Sequence, residues 1–168
     1  PYNCTIHASM TGTITVQAVA SDGFINSGLN DAWGDPTIDK QGFFITVFPD
    51  IKKIFLSWFT YDLQRPANGV TAMLGEPGHR WLTALGTYTG DRATLAIELT
   101  QGGIFDANPP DPTQSPYGTI ELLVNNCNQI ELLYEIPSLG LSRLMFVERT
   151  YASPDNVALC ESLRSPSP

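Results

Sequence analysis

Charge is what this chain has least of. Only 15% of its 168 residues are charged, against roughly a quarter in ordinary globular proteins. Nine Lys and Arg stand against 17 Asp and Glu, for a formal net charge of −8. The bases are too few and too scattered to follow a phosphate backbone, and the one basic doublet, Lys52-Lys53, reads as a turn. Nucleic acid is therefore excluded as a partner, and so is electrostatic adhesion to an anionic membrane surface. No apolar run approaches the ~18 residues of a spanning helix, so no membrane span is expected. The chain starts at Pro1, with neither a Met nor a signal peptide, so a processed or trimmed N-terminus is expected.

Catalytic signatures are missing too. There is no Gly-x-Ser-x-Gly, and neither Ser57 nor Ser142 has a neighbour that would activate it. The two histidines, His7 and His79, lie far apart, and no Cys-x-x-Cys or Cys/His spacing exists for zinc. Glycosidase chemistry needs two carboxylates across a cleft. Glu76, Glu98, Glu121, Glu131 and Glu135 are present, but acids at alternating strand positions are usually a solvated face. The expectation is a protein that is not an enzyme and carries no cofactor.

With so little charge, the surface falls to Thr, Ser, Asn, Gln and Gly, a habit of secreted β proteins. Hydrophobic content of 42% is ordinary for a chain that buries a core, and its length fits a single domain. Thr11 to Ala20 alternates with period two: Ile14, Val16 and Ala18 face one way, Thr13, Thr15 and Gln17 the other. Ser21 to Gln41 reads as a long loop. Gly42 to Phe48 and Ile54 to Tyr61 form a hairpin around Pro49-Asp50. The second of these strands is apolar on both faces, which predicts that its outer side is covered. Further strands are expected at Val70 to Leu74, Trp81 to Tyr88, Ala93 to Thr100, Tyr117 to Val124, Ile130 to Ile136 and Ser142 to Arg149. Gln101 to Pro116, with Gly102-Gly103 and four prolines, is excluded as a ladder strand. Thr150 to Leu163 reads as irregular, with one helical turn near Val157 to Leu163.

No sustained apolar period of 3.6 residues occurs. The fold class is therefore all-β and antiparallel: eight or nine strands, mostly a meander, as an up-and-down barrel, with a two-sheet sandwich as the alternative. Residues 1–10 form an N-terminal arm, 11–163 the β domain, and 164–168 a linker-like tail.

The cysteines number three, which is odd. Cys127 with Cys160 would tie the tail to one end of the barrel and leave Cys4 free or bonded to another chain. The alternative pairs Cys4 with one of the others.

A wider pattern runs from Gly28 to Leu163. It comprises Gly28-Leu-Asn-Asp-Ala-Trp33, Gly42 to Ile51, Trp58-Phe-Thr-Tyr-Asp62 with Arg65-Pro66, and Gly75 to Thr83. Gly102 to Asp106, Asn126-Cys-Asn128 and Asp155 to Leu163 complete it. It resembles an uncharacterised β-rich domain of exported bacterial, largely proteobacterial, proteins, a family with no established activity to transfer. The resemblance associates Cys127 with Cys160 and implies an extracellular, cell-surface or periplasmic location. Cys4 falls outside it.

Six residues are candidates for ligand binding. His79 and Arg80 beside Trp81 suit a carboxylate or a sugar, and Trp33, Trp58 and Tyr61 suit stacking on a sugar or an apolar ligand. Asp31, Asp35 and Asp39 recur at four-residue spacing in an oxygen-rich loop, a calcium candidate without the EF-hand pattern. Two roles follow. The first is an extracellular structural or assembly protein, self-associating as a filament or appendage subunit through its N-terminal arm, with Cys4 as the intermolecular contact. The alternative is a secreted binding module for a glycan or apolar ligand.

Overall fold

The computed structural model describes residues 2–3, 11–12, 23–72, 74–75, 77–151 and 153–164. Strands β1 (Tyr2–Asn3) and β2 (Thr11–Gly12) pair antiparallel as a small separate sheet. Cys4, His7, Glu76, the remainder of the expected Thr11–Ala20 strand and the last four residues lie outside the described residues.

Eight strands make one closed antiparallel barrel. They are β3 (Asp31–Gly34), β4 (Gly42–Phe48), β5 (Lys53–Tyr61), β6 (His79–Thr89), β7 (Arg92–Gln101), β8 (Thr113–Asn126), β9 (Gln129–Ile136) and β10 (Leu141–Arg149). Each pairs with its sequence neighbour, and β10 returns to β3 through Glu148↔Gly34 and Arg149↔Trp33. The chain is thus an up-and-down barrel and not a sandwich. Helix α1 (Pro154–Leu163) follows β10.

Period-two patterning decides which side chains go in. Ile54, Leu56 and Trp58 of β5 face the interior, as do Leu95 and Ile97 of β7, Ile120, Leu122 and Val124 of β8, and Ile130 and Leu132 of β9. Their intervening neighbours Thr94, Glu98, Glu121 and Glu135 are exposed. Eight strands enclose an interior just wide enough for side chains to fill or for one small ligand.

Four expectations need correction. The loop expected at Ser21 to Gln41 holds a 3-10 turn at Ser27–Leu29 and strand β3. At four residues, β3 is too short for a periodic signal, yet it supplies the pairing that closes the barrel. No described residue of the expected Val70–Leu74 strand is in a strand; Val70 and Leu74 are exposed, so they bury no face that would repay ordering. The outer face of β5 is not covered among the described residues: Phe59 and Tyr61 are each close to half exposed. Finally, α1 is a full ten-residue helix entered by Pro154 at its first turn, where a proline's missing N–H costs nothing.

The end of the barrel reached by β10 and β3 is sealed. Cys127, in the β8–β9 turn, is disulfide-bonded to Cys160 of α1, with Cα atoms 5.8 Å apart. The crosslink encloses 33 residues, which the chain-entropy account values at roughly 3–4 kcal/mol. Gly28 lies against this joint so closely that a Cβ there would fall 2.2 Å from the Cys160 backbone nitrogen. Asn26 is buried beside it, donating to the Cys160 carbonyl (3.1 Å) and accepting from the Gly28 N–H (2.9 Å).

Arg149 is the centre of this seal. Its guanidinium donates to the Cys127 carbonyl (2.9 Å), the Asp31 carboxylate (2.6 Å) and the Gly28 carbonyl (2.8 Å). It also lies 4.6 Å over the Trp33 ring. Its side chain is 5% exposed, so every one of these contacts offsets a large desolvation cost.

Candidate functional site

The opposite end of the barrel is built differently. There β5 ends at Tyr61, β6 starts at His79, β7 and β9 present their last inward residues, and β10 presents its first. The register Trp58↔Leu82 and Thr60↔Arg80 puts these four residues on the inner face, because alternate strand positions share a face. Leu99, Tyr134, Ile136 and Leu141 join them from β7, β9 and β10. Together they line a cavity of about 570 Å³ at the mouth, within the range of small-molecule sites.

Strand β8 contributes through an irregularity. Its pairing with β7 shifts between Ile97 and Glu98, so that Gly118 faces Ile97, Pro116 faces Glu98, and Tyr117 is left over. A bulge of this kind re-aims a side chain, and Tyr117 lines the cavity. Pro116 is tolerated because the ladder is already interrupted there. The exclusion of strand up to Pro116 is therefore corrected: β8 starts at Thr113.

The floor is aromatic. The Trp58 ring lies 4.9 Å from that of Tyr134 and 5.3 Å from that of Phe43. Trp58 is 8% exposed, while Leu56, Ile97 and Leu132 beneath it are sealed from solvent. The rim is polar. Arg80 forms an ion pair with Asp62 and donates to the His79 carbonyl (2.7 Å). The Asp62 N–H bonds the Gly78 carbonyl (2.8 Å), fixing the start of the β5–β6 loop. The Tyr61 and His79 rings stand 5.3 Å apart at the same rim.

Of the six ligand candidates, five gather here: Trp58, Tyr61, His79, Arg80 and Trp81 all border the cavity. Trp33 does not. It is fully buried at the sealed end, and its Nε1 donates to the Leu29 carbonyl (3.0 Å). Trp81 pairs with Phe59 in register and is half exposed on the outer wall. Phe44 meets Phe59 edge to face at 5.7 Å, so a short aromatic strip crosses the outside of β4, β5 and β6.

The three loop aspartates are not brought together. Asp31 is held by Arg149 and Asn156, Asp35 by Thr37 and Arg143, and Asp39 is exposed beside Lys40. Burial pushes the Asp31 carboxyl up, but hydrogen bonds from Ser153, Ala32, Asn156 and Arg149 outweigh it and hold the group below the usual range. The Thr37 hydroxyl and N–H, with the Arg143 charge, likewise hold Asp35 low against its burial. Among the described residues no cluster of three His, Cys, Asp or Glu has metal-binding geometry.

No protein family, curated protein or solved structure matches this chain. What the mouth can do therefore rests on its own chemistry. Aromatic and aliphatic side chains remove an apolar group from water, and the Asp62–Arg80 pair offers both acceptors and donors to a polar one. Sequence reading missed Tyr117, Tyr134, Leu99, Ile136 and Leu141. Leu99, Tyr134, Ile136 and Leu141 share inward parity at the same end of their strands, visible only once the register is known, and Tyr117 is brought in by the bulge alone.

Proposed function

We propose that this barrel binds a small ligand in its mouth and performs no chemistry on it. The observation that carries this reading is the cavity of about 570 Å³ bounded by an aromatic floor, aliphatic walls and the Asp62–Arg80 rim. Most of the barrel's interior is filled by its own side chains, and this end is not. Titration with the neutral apolar fluorophore 1-aminoanthracene, and separately with neutral monosaccharides, tests it and sorts an apolar ligand from a glycan. The Trp58 emission should change on saturation, and Leu99→Trp, which fills the mouth, should weaken binding at least tenfold. Binding unaffected by Leu99→Trp places the probe elsewhere and defeats the proposal.

An exported location accompanies this reading. The Cys127–Cys160 disulfide suits an oxidising compartment, and the resemblance to exported bacterial domains points the same way.

The assembly role is the second reading, and one observation favours it. The outer wall carries Phe44, Phe59 and Trp81, all about half exposed and in mutual contact or register. Such a strip suits self-association. The arm expected to join subunits is described only at Tyr2–Asn3, which pairs with Thr11–Gly12 of the same chain. Non-reducing electrophoresis and size measurement across concentration decide the matter. A monomer at all concentrations with one reactive thiol rules out covalent assembly through Cys4.

A further inference from the structure

The cavity does not run the length of the barrel, and where it stops has a consequence for what can enter. On β5 the inward side chains from the sealed end to the mouth are Ile54, Leu56, Trp58 and Thr60. Only Trp58 and Thr60 border the cavity. The same division holds on the neighbours: Leu82 borders it and Ala84 does not, Leu99 does and Ile97 does not, Tyr134 does and Leu132 does not. The layer below is sealed from solvent, with Leu56, Ala84, Ile97 and Leu132 at most 1% exposed. Trp58, locked between Phe43 and Tyr134, lies across the boundary.

Side chains on one face of a strand recur every ~7 Å, so two layers of tilted strands give a depth of about 10 Å. An extended membrane acyl chain needs about 15 Å, half of the ~30 Å hydrocarbon core. The rim sets the second limit. Arg80 and Asp62 already neutralise each other at the exposed rim, so a charged head group placed there meets no net opposite charge and gains little. A hydroxyl or amide, which both donates and accepts, fits between them.

We infer that the mouth selects compact, uncharged amphiphiles: an apolar part no longer than the two open side-chain layers, with a neutral hydrogen-bonding head at Asp62–Arg80. This rests on the mouth being a ligand site. Long-chain fatty acids and phospholipids are excluded by the Trp58 floor and by the compensated rim.

The test is a homologous series of 1-alkanols from butanol to tetradecanol, followed by methyl NMR shifts of Leu82 and Leu99 in the native protein. Affinity should rise about fourfold per methylene through the short members and then level off once the chain exceeds the depth. Octanoate and octylammonium should each bind more weakly than 1-octanol. Affinity that climbs without a break to tetradecanol overturns the depth limit, and tighter binding of either charged analogue overturns the neutral head. Both results leave the mouth as a ligand site. No shift at Leu82 or Leu99 with any alkanol removes that site itself, and the inference with it. The variant Trp58→Leu, which lowers the floor, should move the break to longer alkanols; a break that stays put denies the floor to Trp58.

Discussion

Arg149 ties the adjoining 3-10 turn at Gly28 and strand β3 at Asp31 to the β8–β9 turn at Cys127, which is distant in sequence. Replacing it by Met keeps the length and the packing over Trp33 but leaves the Asp31 carboxylate and two carbonyls short of partners in a buried place. Arg149→Met should therefore cost about 3–5 kcal/mol in denaturant unfolding, far more than loss of the exposed Lys40–Asp39 pair. The aspartates add a pH dependence. Asp31 and Asp35 are both held below the ordinary carboxylate value in the folded chain. A depressed folded pKa gives stability that is present above the unfolded value, near 3.9, and lost as the pH falls through the folded one. The thermal midpoint should thus fall below about pH 4, and Asp35→Asn should flatten that fall while lowering stability at neutral pH.

At the scale of elements, β5 carries two different jobs on its two faces. Its inner side chains, Ile54, Leu56 and Trp58, are core and floor. On its outer face, Phe59 sits with Phe44 and Trp81 in an aromatic strip that the described residues leave open, and Tyr61 stands beside His79 at the rim. Substituting the strip should separate folding from surface function. Phe59→Thr, a β-branched residue suited to an exposed strand position, should change unfolding free energy by about 1 kcal/mol or less. If the strip mediates self-association, the same change should shift the monomer–oligomer balance toward monomer in sedimentation. Strand β8 shows the opposite lesson. Pro116 and its neighbours read as non-strand by composition, and the bulge beside Ile97 overrides that reading because the partner strand supplies the pairing. It is this override that delivers Tyr117 to the mouth.

At the scale of the whole molecule the barrel has a sealed end and an open one. The disulfide, α1 and Arg149 hold the first; strand ends and the β5–β6 loop shape the second. Reduction of Cys127–Cys160 should lower the unfolding free energy by roughly 3–4 kcal/mol. Alkanol shifts at Leu82 and Leu99 should persist under reducing conditions where the chain stays folded, since the two ends share no residue. Methyl NMR with and without thiol checks both points.

Period-two alternation by itself determined most of the architecture. Leu95, Ile97 and Leu99 against Thr94, Ala96 and Glu98 admit one reading, since shifting a strand by one residue would turn its whole apolar set to water. Short turns such as Thr89 to Arg92 then made neighbours of successive strands. The closing strand β3, the bulge at Pro116 and the gathering of Trp58, Tyr117, Tyr134 and Arg80 around one cavity were decided only by the tertiary structure. Alternation says which side of a strand is wet. It does not say at which height around a closed barrel a given side chain lies, because that depends on the register of every strand in the ring at once.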